Sequence, residues 1–182
     1  MKVAFLDIDG VVATNESLYC AMAHYYGVPP GKKFRERVNE AFDSSNLPKM
    51  MLSCDCWPFS HHAIRQIYRL LRETHCEFVV SSSWRYSNSK EDVRRLENLF
   101  NKKGLHIRVK DVIIRSREAI RGLEIQEWLN RHPETANYVI LDDEGYDIAQ
   151  HHPGKLVQST QRAGFTKPLC DQAIAILNNH TT

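Results

Sequence analysis

The sequence predicts an α/β protein with a mostly parallel sheet, and two observations support this class. Short apolar runs recur along the chain at residues 3–6, 78–80 and 138–141, and each is followed at once by acidic or hydroxyl-bearing residues. Runs this short and this uniformly apolar are typical of strands that are covered on both faces of a parallel sheet. The segments between them repeat apolar residues at helical spacing, which indicates helical crossovers from one strand to the next.

Length and composition indicate an ordinary globular protein. The 182-residue chain is long enough for one domain with a full core and a small insertion. Its hydrophobic share of 42% and charged share of 25% are typical of such domains. The net charge of only +2 provides no strong overall field for gathering nucleic acid or anionic membrane. No apolar run approaches the roughly twenty residues of a membrane span, so we expect no membrane partner.

Cysteine usage and the N-terminal residues indicate the compartment. The five cysteines are an odd number, and the chain enters its first predicted strand at once, so we expect no secretory leader. These features predict a reducing, cytoplasmic location. Cys54 and Cys56 are spaced like half of a metal site, but no second cysteine pair supplies the other ligands, and ordinary thiols are the preferred interpretation.

Local signals place the remaining elements. Residues 13–57 form a predicted small helical insertion, with one helix that ends at Gly27 and a second around residues 34–42. An insertion at this point is able to lie over a site at the end of the first strand and exclude water. The other predicted elements are a helix capped by Ser60, a helix capped by Ser89 and ended by Gly104, an edge strand within residues 105–114, a helix from Arg121 to His132, a strand at 156–157 and a helix capped by Thr166.

Two acidic residues follow the first strand. Asp7 and Asp9 are two positions apart, so an extended chain over Ile8 directs both carboxylates to the same side. Two anions held this close repel each other unless a cation or a proton lies between them, and oxygen ligands of this kind suit Mg²⁺. Gly10 permits a sharp turn beside them. The alternative interpretation is a strand that ends in a solvated acidic turn.

A second acidic pair, Asp142 and Asp143, follows the strand at 138–141. Ligands of open α/β sheets bind at the carboxyl ends of the strands, so this pair is a candidate for the same metal site as the first. Asp142 is the better direct ligand by its position, with Asp143 binding through water or orienting the ligand. Asp147 is a weaker third candidate.

Hydroxyl, aromatic and basic residues follow the second predicted strand, Glu77–Val80. One hydroxyl among Ser81, Ser82 and Ser83, together with nearby backbone N–H groups, is suited to hold a phosphate oxygen, although a plain polar loop is the alternative. Trp84 and Arg85 are candidates to stack on or clamp a substrate, while a core tryptophan and a surface ion pair explain them equally well.

Taken in order, these residues resemble the four motifs of the haloacid dehalogenase (HAD) superfamily, whose members are mostly Mg²⁺-dependent phosphatases. The matching positions are Asp7 to Val11 for the first motif, Ser81 for the second, Arg121 for the third, and Asp142 with Asp143 for the fourth. Arg115 and Arg117 compete with Arg121 for the third motif. The string from Ser81 to Arg85 also resembles a small branch of HAD-like proteins, some of which are associated with RNA repair.

The resemblance implies a Rossmann-like three-layer α/β/α sandwich over residues 1–182, in which the strands preceding Asp7, Ser81 and Asp142 lie side by side. It also implies a Mg²⁺ ion and an aspartyl-phosphate intermediate. The implied roles are metal ligation by Asp7, the backbone carbonyl of Asp9, Asp142 and Asp143, nucleophilic attack by Asp7, proton transfer by Asp9, phosphoryl binding by Ser81 and Arg121, and substrate contact by Ser82, Trp84 and Arg85.

Three functions compete at this stage. The first is hydrolysis of a phosphate monoester on a small molecule. The second is hydrolysis at a nucleic-acid end, such as a 3′-phosphate; the RNA-repair relatives and the basic insertion helix favour it, and the low net charge opposes it. The third is a binding or regulatory module without catalysis, because a fold does not imply a function. The presence of both Asp7 and Asp9 weighs against the third.

Overall fold

The structure is a computed structural model, and it describes residues 1–25, 27, 28, 33, 36, 57–85, 90–116 and 119–179. Most of the predicted insertion falls outside these ranges, including its second helix around residues 34–42 and the cysteines at 54 and 56. The predicted cap Ser89 and the competing arginine Arg117 also fall outside the described residues.

The central element is a five-stranded sheet in which all pairings are parallel. The strand order is β3-β2-β1-β4-β5, so the first strand lies in the middle and β3 lies at an edge, where a short edge strand was predicted. The strands are β1 (Lys2–Leu6), β2 (Glu77–Val80), β3 (Val109–Val112), β4 (Asn137–Asp142) and β5 (Leu156–Gln158).

Six helices occur in the described part of the chain. They are α1 (Asn15–Tyr25), α2 (His61–Thr74), α3 (Lys90–Lys102), α4 (Arg121–Arg131), α5 (Tyr146–His151) and α6 (Lys167–Asn178). Ser60 is the N-cap of α2, as predicted, and its hydroxyl accepts from the Ala63 N–H at 3.4 Å. Helix α5 was not predicted, because six residues are too few to establish a helical period. None of the described helices is long and apolar enough to cross a membrane.

Helices cover both faces of the sheet. One face buries Ala4 and Leu6 against residues of α2, α3 and α6, and the other buries Val3 and Phe5 against residues of α4 and α5 such as Trp128 and Ile148. The result is the predicted three-layer α/β/α sandwich. Continuous burial on both sides explains why the strands are uniformly apolar rather than alternating.

The register of the central strands decides which side chains meet at the carboxyl edge. Leu6 pairs with Val80 on one side and with Leu141 on the other. Because successive strand residues point to opposite faces, the next residues, Asp7, Ser81 and Asp142, return to the face that α4 and α5 cover. The three polar positions predicted from separate segments therefore follow three neighbouring strands on one face of the sheet.

Candidate active site

Three carboxylates meet where β1 and β4 end. One oxygen from each of Asp7, Asp142 and Asp143 lies within 4.8 Å of the others. The backbone N–H of Asp7 donates to the carbonyl of Leu141 at 3.0 Å, which extends the ladder between the two strands by one residue past β1. Asp7 and Asp142 are buried, with 6% and 2% of their surface exposed. Residues 135 positions apart in the chain thus share one small volume.

These acids line a pocket of about 300 Å³ at the carboxyl edge of the sheet. Asp9, Arg121 and the three clustered carboxylates all contribute to its wall. A larger cavity of about 480 Å³ lies beside Glu77 and Phe78, at the amino end of β2. Among the described residues, the one cluster of candidate metal ligands lies in the smaller pocket. The convergence of these carboxylates identifies the smaller pocket as the candidate site.

Arg121 is the cation of this cluster. It is the first residue of α4, and its Nη1 lies 3.6 Å from Asp7 Oδ1 and 3.4 Å from Asp142 Oδ2. Its competitor Arg115 is exposed and is not part of the pocket wall. The structure therefore brings Arg121 to the acids, as the third motif predicts.

The turn after β1 brings Asp143 against the backbone of Gly10. The Ile8 carbonyl accepts from the N–H groups of Val12 and Ala13 at 3.0 and 2.9 Å, and Gly10 has a φ of +66°. A Cβ placed on Gly10 would lie only 2.4 Å from Asp143 Cγ. Glycine is thus required here both for the left-handed backbone and for the space that the Asp143 carboxylate occupies.

The serine loop after β2 contacts both aspartates of the first motif. The Ser81 N–H donates to the Leu6 carbonyl at 2.9 Å, while its hydroxyl is fully buried and has no hydrogen-bond partner among the residues that the structure describes. The Ser82 hydroxyl hydrogen-bonds to Asp7 and the Ser83 hydroxyl hydrogen-bonds to Asp9. All three serines therefore lie at or next to the acids.

Trp84 and Arg85 have partners inside the protein. The Trp84 indole N–H donates to Asp9 Oδ2 at 2.8 Å, and only 4% of the residue is exposed, so its ring has no free face for stacking on substrate. Arg85 Nη2 donates to Glu124 Oε2 at 2.6 Å, with both side chains almost fully buried. The alternative of a core tryptophan thus describes Trp84, but the ion pair expected on the surface is buried. Substrate contact by Arg85 stays a prediction.

Several residues of the site were not predicted. Asn15, Trp57, Glu144 and Gln161 line the pocket, and the Gln161 side chain hydrogen-bonds to Asp143. Gln161 follows β5 and carries no motif, so no local signal marks it.

Asp147, the weaker metal candidate, instead accepts from the Gly122 N–H at 3.0 Å near the start of α4. Its carboxylate therefore stabilises the helix that presents Arg121.

A comparison with protein families decides the assignment. A family model described as "HAD domain in Swiss Army Knife RNA repair proteins" matches residues 3–170. The chain belongs to this HAD family. The matched range contains all four motif positions and every described strand apart from Lys2, the first residue of β1, so the protein is a HAD-type hydrolase by family.

Other comparisons add little. No curated protein matches the chain in sequence. Among solved structures, the chain is similar to "Hydrolase, haloacid dehalogenase-like family protein SP0104 from Streptococcus pneumoniae", with 12% sequence identity and a TM-score of 0.45. That similarity covers 94% of this chain and 90% of the other. The family assignment rests on the family match and not on this likeness.

Burial and mutual repulsion raise the pKa values of the carboxyl groups in the candidate site. Desolvation and the neighbouring Asp142 raise the pKa of Asp7 to about 8, and desolvation raises that of Asp142 to about 6. The pKa values of Asp9 and Asp143 are also raised, chiefly by burial. The charge of Arg121 acts in the opposite direction on Asp7 and Asp142 but does not offset burial.

The donor set fits a hard divalent cation. Carboxylate oxygens are the ligands that Mg²⁺ prefers, and three of them from Asp7, Asp142 and Asp143 converge within 4.8 Å. Arg121 supplies one positive charge beside two buried carboxylates, Asp7 and Asp142, and the partly buried Asp143, and the pKa values of all three acids are raised, chiefly by burial. The Asp9 carboxylate is not part of this group of three, and the predicted ligation through its backbone carbonyl stays a prediction.

Gly10→Ala should disable the site through Asp143. The added Cβ overlaps the Asp143 carboxylate, so we expect Mg²⁺ affinity and activity to fall at least about tenfold, as for loss of a group that orients metal ligands. Isothermal titration calorimetry measures the Mg²⁺ affinity, and steady-state kinetics measure the activity.

Gly104→Ala is the matched control. Gly104 also has a positive φ, of +81°, but a Cβ there meets nothing within 4 Å. Both variants therefore bear the backbone strain of about 1 kcal/mol, and only Gly10→Ala displaces a carboxylate. Equal Mg²⁺ affinity in the two variants would contradict the role assigned to Gly10.

The metal-free protein should lose stability as the pH rises from about 4 to about 8. In this window the folded state keeps protons on carboxyl groups whose ordinary pKa is 3.8, whereas the unfolded chain has released them. The folded state thus binds more protons, and the free energy of unfolding falls with pH. Thermal unfolding in EDTA at several pH values measures this slope.

Asp7→Asn should flatten that slope. It removes the group with the most strongly raised pKa, so at pH 8 in EDTA we expect its Tm to exceed that of the wild type by on the order of 5 °C. Asp111→Asn, in β3 and away from the cluster, is the control and should keep the wild-type slope. A wild-type Tm that rises steadily from pH 5 to pH 8 in EDTA would be the opposite result.

Proposed function

We propose that this HAD protein is a Mg²⁺-dependent phosphohydrolase that cleaves a phosphate monoester through an aspartyl-phosphate on Asp7. The observation that supports this most is the convergence of three carboxylates and the Arg121 guanidinium in one pocket at the carboxyl edge of the sheet. The carboxylates of this cluster attract a cation, and Arg121 attracts the negative oxygens of a phosphoryl group. The cation in turn reduces the repulsion between the carboxylates and the phosphoryl oxygens, so the cluster suits both ligands together.

The metal would be held by Asp7, Asp142 and Asp143, with the Asp9 carbonyl as a further ligand. When bound, a divalent cation lowers the repulsion between the phosphate oxygens and an approaching carboxylate. It also favours the ionised form of the Asp7 carboxyl group, whose pKa burial otherwise raises. Arg121 supplies a fixed charge and a fork of N–H donors for the phosphoryl oxygens. The buried Ser81 hydroxyl, which has no hydrogen-bond partner in the described part of the chain, supplies one more donor.

In the first step, an Asp7 carboxylate oxygen attacks phosphorus in line with the leaving oxygen. The new O–P bond forms while the bond from phosphorus to the leaving oxygen breaks, and the leaving oxygen takes its electron pair. Asp9 in its protonated form gives its proton to that oxygen. Burial raises the pKa of Asp9, which is the direction that a proton-donating role requires.

In the second step, water hydrolyses the aspartyl-phosphate. Asp9, now ionised, takes a proton from the water as the water oxygen bonds to phosphorus, and the bond from phosphorus to Asp7 breaks. Inorganic phosphate leaves, and Asp9 has regained the proton it gave in the first step. One carboxyl group thus serves as acid and then as base.

A nucleic-acid end is the second candidate for the substrate. The matching family is described by its occurrence in RNA repair proteins, and this description favours a 3′- or 5′-phosphorylated end. Trp57, which is partly buried and lines the pocket, is an aromatic group of the kind on which bases stack. The net charge of +2 favours instead a small phosphorylated molecule.

A screen separates the two substrate classes. Phosphorylated sugars, nucleotides, phosphopeptides, and oligonucleotides with a 3′- or 5′-phosphate are each incubated with the protein and Mg²⁺, and released phosphate is measured. A kcat/KM for oligonucleotide ends at least about 100-fold above that for mononucleotides would support the second candidate, and the reverse order would support the first.

Asp7→Asn should abolish turnover. The amide is a poor nucleophile, so we expect phosphate release to fall by at least about 10³-fold while the fold is kept. EDTA should abolish phosphate release by the wild type, and added Mg²⁺ should restore it. Asp111→Asn is the control for a carboxyl-to-amide change away from the site, and it should keep near-normal activity. Near-normal turnover by Asp7→Asn, or activity that persists in EDTA, would refute the scheme.

Asp9→Asn should separate catalysis from metal binding. Because the proposed ligand at this position is the backbone carbonyl, Mg²⁺ affinity should stay within about threefold of the wild type, while kcat falls by about 10²–10⁴-fold for loss of the acid and base. Calorimetric titration with Mg²⁺ and single-turnover kinetics provide the two measurements. Unchanged turnover would remove the acid and base role from Asp9.

A further inference from the structure

We propose that Trp84 is a positioning residue for proton transfer: its indole N–H holds the Asp9 carboxyl group so that Oδ1 exchanges the proton with the leaving oxygen and with water. This inference rests on the proposed function, because it concerns the acid and base of that reaction. It assigns Trp84 a role in the chemistry without contact to the substrate.

The hydrogen bond has the geometry of a strong, oriented contact. Trp84 Nε1 and Asp9 Oδ2 are 2.8 Å apart, and the two residues lie 75 positions apart in the chain. An indole N–H donates and never accepts, so Oδ2 is held as an acceptor. The proton that Asp9 gives and takes is therefore assigned to the other oxygen, Oδ1.

The tryptophan is itself firmly held. Its ring packs against Phe59 with the centroids 6.2 Å apart, and the Lys103 ammonium lies 5.7 Å from the Trp84 ring centroid. The Arg95 guanidinium donates to the Trp84 carbonyl. With 4% of its surface exposed, Trp84 has little freedom to leave this position. The donor is thus presented from a rigid part of the core.

Asp9 needs such an anchor because strand geometry does not fix it. Strand β1 ends at Leu6, and Asp9 lies in the turn before Gly10, whose φ is +66°. The terminal torsion of an aspartate is broad, so a carboxyl group in a turn samples many orientations unless a partner selects one. The indole bond from the core and the nearby Ser83 hydroxyl supply that selection.

The effect of losing the indole hydrogen bond should depend on the leaving group of the substrate. An alcohol with a high pKa leaves poorly as an anion and depends on the proton from Asp9, whereas p-nitrophenolate leaves without it. Loss of the indole bond should therefore impair hydrolysis of an alkyl phosphate and spare that of p-nitrophenyl phosphate. A purely structural defect would impair both substrates alike.

Trp84→Phe removes the N–H while it keeps an aromatic ring. We expect kcat/KM to fall about 10- to 100-fold for an alkyl phosphate such as glycerol phosphate, and less than about threefold for p-nitrophenyl phosphate. The matched control is Trp128→Phe: the Trp128 indole also donates to a carboxylate at 2.8 Å, that of Asp111, and is also buried, but lies away from the pocket. The ratio between the two substrates should stay unchanged in this control.

Two kinetic results would overturn the proposal. Equal losses of kcat/KM on both substrates would mean that Trp84 only supports the fold. A raised KM with unchanged kcat would mean that its ring contacts the substrate. If the wild type hydrolyses no phosphate monoester with Mg²⁺, the proposed function fails instead, and the hydrogen bond is then tested without turnover.

Exchange of the indole hydrogens provides that independent test. The chain has three tryptophans, so ¹⁵N labelling gives three indole signals, and Trp84→Phe identifies one by its loss. Asp9→Ala should speed exchange of the Trp84 indole hydrogen at least about tenfold and leave Trp128 unchanged, while Asp111→Ala should do the reverse. Unchanged exchange at Trp84 in Asp9→Ala would show that the bond is not formed and would overturn the inference.

Discussion

The structure depends on holding several negative charges together at one edge of a parallel sheet. The pairing of β1 with β4 sets Asp7 beside Asp142, and the next turn adds Asp143, so three carboxylate oxygens lie within 4.8 Å. Burial, together with the repulsion between these acids, raises the pKa of Asp7 and of Asp142, so keeping both groups ionised opposes folding. The apolar layers on both faces of the sheet offset this cost. The fold thus maintains an arrangement that the isolated groups would avoid.

Much of this arrangement was predictable from the sequence, because buried parallel strands leave an unmistakable local pattern. The apolar runs correspond to β1, β2 and β4 within a residue or two, and Glu77–Val80 agrees at both ends. Once three strands are in register, a period of two residues suffices to bring the side chains that follow them onto one face. The choice of Arg121 over Arg115 follows in the same way, since Arg121 begins a helix whose start lies over that edge.

What escaped prediction depends on contacts between distant segments. The bond from Trp84 to Asp9 and the burial of Arg85 against Glu124 leave no mark in local composition. Substrate contact, and the alternative of a core tryptophan with a surface ion pair, were therefore equally acceptable interpretations. Gln161 reaches the site from beyond the last strand, and no spacing rule connects it to Asp143. Helix α5 is one and a half turns long and was too short to recognise.

The buried pair of Arg85 and Glu124 has a consequence for how the protein opens. Glu124 lies one turn after Arg121 on α4 and also accepts from the backbone N–H of Ser116 at 2.7 Å, while Arg85 lies two residues after Ser83 in the chain. Separating the two would strand a charge in the interior, at a cost of about 3–5 kcal/mol. Partial unfolding is therefore expected to release the serine loop and the arginine helix in one cooperative event. A sub-globally open molecule would have lost both halves of the proposed phosphate-binding surface together.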